Sequence, residues 1–266
     1  MTWIVGTPTL FGHAILVSDI CVTFRNDFGK TDYVDCLQKI YPVGKSQMMG
    51  FSGSVSLGFK MVHQFAYESS KLSNSDDWIV EIIANTWLPR VMRRIYNNST
   101  EIEKELGCSI ILASAHPQKN LGDVPWPETY CHIFDGPDFE PKLCRPGEIK
   151  SIGSGSNVDE YKSAIKAVIE DRSFNQMMVA GASMQGLLLA KSINKVVDEN
   201  PKKGISKHYQ IGIVERRNFS ISNNDYKLYP KDGPPMEVKL PKLARNYNEF
   251  QEYCKEREKL TETSSC

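Results

Sequence analysis

The sequence predicts an α+β protein built as a four-layer α-β-β-α sandwich. Strand-like segments at the start are followed by two helical stretches, more strands, two further helical stretches and a final group of strands. Sheets need their apolar faces covered, and two pairs of helices can cover two stacked sheets. The chain has 266 residues, 41% of them apolar, which is enough for one large domain with a substantial core.

The early strands are predicted from β-branched and aliphatic residues bounded by Gly and Pro. Residues 25–33 are polar and rich in turn-forming residues, so they are predicted as a loop. Pro42 and Gly44 interrupt the next apolar segment, which favours short strands over a helix. The predicted strands of this region are 3–5, 14–17, 20–23, a short one around Lys39, and 48–52.

Four helices are predicted from apolar residues at helical spacing and from capping residues. They run from 54 to 69, from a cap at Ser75 towards Pro89, from a cap at Asn157 to about 168, and from about 175 to 197. Pro89 is expected to kink or end the second helix, although residues 91–96 could continue it. Further strands are predicted at 108–115, 129–135, about 139–143, 209–214 and 222–228.

The chain is predicted to have one main unit and a tail. Residues 1–228 form the predicted domain, and residues 229–266 form a C-terminal extension. That extension begins with a Pro- and Lys-rich linker and ends in a helix with one apolar stripe among many charges.

Composition argues against several classes of partner. Lys+Arg and Asp+Glu both number 32, so the balance gives no reason to expect binding to nucleic acid or to an anionic membrane. The seven cysteines form no CxxC pair and no metal-type spacing, which suggests free thiols in a reducing compartment. No apolar run reaches membrane-spanning length, and the N-terminus does not resemble a signal peptide. We therefore expect a soluble cytoplasmic protein.

The N-terminus carries the main chemical signal. Only Met1 precedes Thr2, and an initiator Met before a small residue is readily removed in cells. The chain would then begin with a threonine that carries both a hydroxyl and a free α-amine. Such a threonine can act as a nucleophile whose base is its own amine, which titrates near pH ~8.

A series of motifs resembles a known family. TWIV at the start, GHAILVSD, Thr23, the Gln-Lys-Ile of QKIYPV, GFSGS and SIGSGS are similar to successive landmarks of proteasome β-type threonine peptidases, and most of all to the bacterial HslV branch. The resemblance covers residues 2–70 well, 150–190 less well and the remainder poorly. It implies an N-terminal nucleophile hydrolase with the same four-layer sandwich.

The resemblance implies a role for each matching residue. Thr2 matches the nucleophile, Asp19 the carboxylate beside the catalytic lysine, and Lys39 that lysine. Gly53 matches the glycine whose N–H forms the oxyanion hole, and Ser154 matches a serine near the nucleophile's amine. A nearby cation would lower the pKa of the amine, and donors aimed at the tetrahedral intermediate would stabilise its oxygen.

The same resemblance implies how a substrate is held. Thr23 matches a residue whose main chain aligns the bound peptide. Val22, Leu37, Phe51 and Val55 match positions around the pocket for the substrate side chain before the cut. Because all four are apolar, we expect a preference for apolar over charged residues there, with Phe51 limiting the depth.

The family also implies the setting of the reaction. It predicts a threonine-type endopeptidase that acts on peptides or unfolded proteins without a metal or organic cofactor. It further predicts a homo-oligomeric ring, in many members fed by an ATP-dependent unfoldase. The segment after the fourth helix, DENPKKGISKHY, lacks the Ser-Gly-Gly pattern found in many proteasome subunits, as HslV-type enzymes also do.

Less specific interpretations stay open from the sequence. The chain could be a non-catalytic ring or scaffold subunit, or a hydrolase of small amides. Thr2 could start a strand behind a retained Met1, and Lys39 could be a solvated lysine on a sheet edge. The remaining three candidates, Asp19, Gly53 and Ser154, could be ordinary turn residues.

Overall fold

The computed structural model describes residues 2–9, 11–25, 31–71, 80–170, 182–222, 226–228, 234 and 236–263. Several expectations fall outside these residues. They are the fate of Met1, the helix cap at Ser75, the start of the fourth helix near residue 175, and most of the linker after residue 228.

The strands are, in chain order, β1 (Ile4–Pro8), β2 (Ala14–Asp19), β3 (Cys21–Arg25), β4 (Thr31–Asp35), β5 (Ile40–Gly44), β6 (Gln47–Gly53), β7 (Cys108–Asn120), β8 (Pro127–Asp135), β9 (Pro141–Cys144), β10 (Lys150–Ile152), β11 (Tyr209–Glu215), β12 (Asn218–Ser222), β13 (Tyr226–Leu228) and β14 (Met236–Val238). The α-helices are α1 (Val55–Ser70), α2 (Val80–Ile82), α3 (Leu88–Asn97), α4 (Glu101–Glu105), α5 (Asp159–Glu170), α6 (Ala182–Glu199) and α7 (Tyr247–Thr263). A π-helical turn spans Ile83–Trp87, and a 3-10 turn spans Ser154–Asn157.

Antiparallel pairing organises the fold. One five-stranded sheet has the order β10-β1-β2-β11-β12, and a second has the order β5-β6-β7-β8-β9. Two-stranded ribbons are formed by β3 with β4 and by β13 with β14. In the first sheet β2 lies at the centre, paired with β1 on one side and β11 on the other.

The structure corrects the predicted fold class. The described residues form a β-rich fold, mostly antiparallel sheet with a few helices, and not a four-layer α-β-β-α sandwich. The sandwich implied by the family resemblance is overturned with it. Strands β4, β10 and β14 lie where the sequence predicts none. They pair with β3, β1 and β13, and local propensity alone does not determine such pairing.

The second predicted helix does not end at Pro89. In its described part the short α2, the π-helical turn and α3 follow one another without a break from Val80 to Asn97. Pro89 lies at the start of α3, directly after the π-helical turn.

The two five-stranded sheets share an apolar layer, and alternation along β2 explains it. Ala14 and Leu16 belong to the cluster that includes Ile40 and Met48 of the second sheet. Ile15 and Val17 point the other way, into a cluster with side chains of α5 and α6. A strand that is buried on both faces needs apolar residues at every position, and β2 has them up to Ser18 and Asp19.

The C-terminal segment contacts the β3–β4 ribbon and the residues just after it; this ribbon is called the ribbon below. Ala244 forms an isolated parallel bridge with Leu37, and its carbonyl accepts a hydrogen bond from Gln38 N at 3.0 Å. In α7, Arg257 pairs with Asp32 at 2.6 Å. This part of the predicted C-terminal extension is therefore attached next to Lys39. In the part of the chain that the structure describes, none of the helices is long and apolar enough to cross a membrane.

Candidate active site

Lys39 lies at the centre of a buried polar cluster. It lies between the ribbon and β5, and its side chain is only 2% exposed. Its Nζ donates to Thr2 Oγ1 at 3.0 Å, to Asp19 Oδ1 at 3.0 Å and to the Cys21 carbonyl at 2.5 Å. An ammonium has three donors, so three acceptors match its capacity. The interpretation of Lys39 as a solvated edge lysine is wrong.

Asp19 ties three chain segments to that ammonium. It ends β2 and is fully buried. Besides Lys39, its Oδ1 accepts a hydrogen bond from Trp3 N at 2.8 Å, and its Oδ2 accepts one from Cys21 N at 3.1 Å. Burial of an ion pair is costly unless further hydrogen bonds satisfy both partners, and these backbone donors do so. The carboxylate thus fixes Lys39 relative to the residue that follows Thr2.

Thr2 is held from its other side by the turn that contains Ser154. Thr2 N donates to Ser154 Oγ at 3.1 Å, and the Ser154 hydroxyl donates to the Thr2 carbonyl at 3.4 Å. Gly155 N also donates to the Thr2 carbonyl, at 3.3 Å. The preceding strand β10 pairs Ile152 with Ile4, which places this turn beside the N-terminus. Thr2 Oγ1 and N therefore point to different partners, Lys39 and Ser154.

Gly153 allows this close approach of the turn to Thr2. Its φ of +88° lies in the region that favours glycine, and a Cβ on it would lie 2.2 Å from the Thr2 carbonyl oxygen. Ser154 was predicted from the sequence as a site residue, but Gly153 was not. The signal that could have identified Gly153 is its place in a turn with glycine on both sides of Ser154.

Replacing Gly153 by alanine is expected to destabilise the protein more than the same change at Gly147. Gly147 has a similar φ of +85° but nothing within 4 Å of its Cβ position, so both variants share the cost of the backbone conformation. Only Gly153→Ala also pushes on Thr2, and such overpacking costs about 1–3 kcal/mol. Urea unfolding of the two variants measures the difference. Equal losses would show that the turn has room to move.

Gly53 lies at the edge of the cluster. It ends β6, is exposed and has a φ of +91°. The preceding residue, Ser52, approaches the turn, with its Cβ 3.3 Å from the Cβ position at Gly153. The structure thus brings Thr2, Asp19, Lys39 and Ser154 into direct contact, with Gly53 one residue beyond Ser52.

The four predicted pocket residues share one apolar cluster. Val22, Leu37 and Phe51 are buried in it, and Val55 at the start of α1 is partly buried against it. Phe51 stacks on Tyr41 with ring centroids 5.9 Å apart. Aromatic residues of α7 pack on the same cluster, as do several partly buried side chains of the ribbon. Phe51 is therefore a packed core residue.

Thr23, predicted to align the substrate backbone, lies on the ribbon. It is in β3, opposite Tyr33 of β4, and is half-buried. Since β3 begins at Cys21, whose carbonyl contacts Lys39, the ribbon and the buried cluster are directly connected.

Cys21 is a poor alternative nucleophile. Burial, followed by the charge of Asp19, raises the pKa of its thiol to about 11. The thiolate is the reactive form, so a thiol with this pKa is inert near neutral pH. His13 has a separate partner: its Nε2 lies 2.6 Å from Gln185 Oε1, at the opposite end of β2 from Asp19.

Two contacts of Lys39 were not predicted from the sequence. One is the Cys21 carbonyl, a backbone group whose role as an acceptor no pattern of side chains indicates. The other is the side chain of Gln210, whose Oε1 accepts a hydrogen bond from Lys39 N at 3.2 Å. A glutamine among the mostly apolar residues of β11 was the only available signal.

No known protein-family model matches this chain, and no curated protein matches its sequence significantly.

Proposed function

We propose that this protein is a threonine-type endopeptidase, similar in chemistry to proteasome β subunits and HslV. Removal of Met1 would turn the nitrogen of Thr2 into a free amine on the same residue as the attacking hydroxyl. The proposal is based on the buried cluster and on the motif resemblance, and it makes no use of the predicted sandwich fold.

The observation that carries the proposal is the 3.0 Å contact between Lys39 Nζ and Thr2 Oγ1. A cation within about 6 Å favours the ionised form of a hydroxyl and lowers the pKa of a nearby amine. Burying an ammonium is expensive, and a protein needs no buried lysine to begin a strand. A purely structural N-terminus gives no reason for this arrangement.

The proposed reaction begins with transfer of the Thr2 hydroxyl proton to the α-amine. Oγ1 then attacks the carbonyl carbon of the scissile peptide bond, and the Gly53 N–H stabilises the resulting oxyanion. The amine, hydrogen-bonded to Ser154, passes its proton to the leaving nitrogen as the C–N bond breaks. Water then attacks the Thr2 ester, the amine takes the water's proton, and Oγ1 regains a proton as the acid product leaves.

The finer features of the proposal follow the resemblance. The substrates are peptides or unfolded proteins, aligned along Thr23, with an apolar side chain directed towards Val22 and Val55. Leu37 and Phe51 are packed in the core, so they support this pocket from behind. The enzyme works as a homo-oligomeric ring in the cytoplasm, with an ATP-dependent unfoldase as a candidate partner. The proposed chemistry uses side chains, the terminal amine, the Gly53 backbone N–H and water.

Intact mass spectrometry and a covalent probe test the proposal together. Peptide epoxyketones bond to both the hydroxyl and the amine of an N-terminal threonine, so they report both groups at once. We expect loss of Met1 and one adduct per chain, located at Thr2. The control, Thr2→Ala, should give no adduct.

Two outcomes would contradict the proposal. Quantitative retention of Met1, or an acetylated Thr2, would favour a non-catalytic ring or scaffold subunit. A peptide panel tests the substrate preference separately, since strongest cleavage after Lys or Arg would exclude an apolar pocket.

A further inference from the structure

Gln210 is a polar side chain in an apolar environment. It is fully buried in β11, opposite Ser18 of β2. Two residues along the same face, a Cβ at Gly212 would meet Met48 and Ile40 of the second sheet. Since side chains alternate along a strand, Gln210 faces the layer between the two sheets.

This buried amide crosses the layer to reach Lys39. Its Oε1 accepts a hydrogen bond from the Lys39 backbone N–H at 3.2 Å, across 171 residues of sequence. On the other side of the same residue, the Lys39 carbonyl accepts a hydrogen bond from Phe51 N at 3.3 Å. The main chain of Lys39 is therefore held from both sheets, by a side chain of the first and by the backbone of the second.

We propose that Gln210 is a positioning residue for the Thr2 reaction, acting through the main chain of Lys39. This inference rests on the proposed function. A lysine has a flexible four-carbon stem, so the position of its ammonium depends on where its Cα is held. Thr2, Asp19 and Cys21 contact the ammonium at the tip of the side chain, and Gln210 holds the backbone from which the side chain begins.

Release of the Lys39 main chain would change the protonation of the Thr2 amine. If the ammonium moves away from Thr2, the α-amine loses a neighbouring cation and holds its proton up to a higher pH. The hydroxyl would also lose its best stabilising charge. A displacement of about 1 Å in such a site costs up to ~100-fold in rate.

The test compares Gln210→Met with Gln185→Met. Methionine keeps the length of glutamine but removes its strong acceptor. Gln185 is equally buried and also makes a side-chain hydrogen bond, to His13, at the far end of β2. Both variants should lose stability, which makes Gln185→Met a matched control for a merely structural effect.

We expect Gln210→Met to slow epoxyketone labelling of Thr2 by about 10- to 100-fold and to shift the midpoint of its pH profile upward. The control should retain the rate and the midpoint of the wild type. Gln210→Glu, which keeps an acceptor oxygen, should recover part of the rate. A wild-type rate and midpoint in Gln210→Met, or an equal loss in both methionine variants, would overturn the inference.

Amide hydrogen exchange separates this inference from the proposed function. The Lys39 amide should lose protection in Gln210→Met and keep it in Gln185→Met, whether or not Thr2 reacts. Absence of labelling in the wild type would refute the peptidase alone. Unchanged protection of Lys39 in Gln210→Met would refute the positioning role alone.

Discussion

Lys39→Met is expected to reduce epoxyketone labelling and peptide hydrolysis by about 10²- to 10³-fold, the range for loss of one preorganised electrostatic group. Methionine fills a similar volume but carries no charge, so Thr2 Oγ1 loses the ammonium that now lies 3.0 Å away. The α-amine also loses the neighbouring cation that favours its neutral form. Met1 removal should not change, because the residue after Met1 is still threonine.

An exposed lysine supplies the control for Lys39→Met. Lys142 pairs with Asp135 at 2.8 Å, but its side chain is 60% exposed. Lys142→Met should therefore keep the wild-type labelling rate. If Lys39→Met keeps more than about a tenth of the wild-type rate, the cation is not part of the chemistry and the peptidase proposal loses its main support.

Asp19→Asn is expected to destabilise the protein by about 3–5 kcal/mol, because it leaves the buried Lys39 ammonium without its counter-ion. Asparagine keeps the shape of the side chain and one acceptor oxygen, but not the charge that offsets burial. Urea unfolding, monitored by tryptophan fluorescence, gives the change in the free energy of unfolding. The exposed control, Asp135→Asn, should cost only about 0–1 kcal/mol.

The double variant Asp19→Asn/Lys39→Met sharpens this measurement. It removes both charges together, so it should be more stable than Asp19→Asn alone. This comparison remains informative even if Asp19→Asn folds poorly. A double variant that shows the plain sum of the two single losses would mean that the buried pair is not coupled.

The early strands were predictable because their signal is local. Runs of β-branched and aliphatic residues, bounded by Gly and Pro, place β1, β2 and β6 in the sequence. The predicted loop at 25–33 was wrong at both of its described ends, since β3 includes Arg25 and β4 begins at Thr31. Its polar residues, Thr31 and Asp32, pair with Arg25 and Phe24 of β3, and local propensity does not encode such pairing.

The fold class failed for a related reason. Helical periodicity shows that a segment has one apolar face, but not how the sheets beneath it are built or whether the helix is continuous. The π-helical turn at Ile83–Trp87 lies within the second predicted helix, and no apolar pattern marks it in the sequence. Antiparallel sheet contributes more of the architecture than the strand patterns in the sequence suggest.

The sequence by itself determined which side chains could take part in a reaction at the N-terminus. Thr2, Asp19, Lys39 and Ser154 are distinct residue types in recognisable motifs, so they could be named before their distances were known. Only the tertiary structure decided what surrounds them: the Cys21 carbonyl on the ammonium, the Gln210 amide on the Lys39 main chain, and the Ala244 carbonyl on Gln38 N. Carbonyl groups are the same in every residue, so their use as ligands leaves no mark in the sequence and depends entirely on which segments the fold brings together.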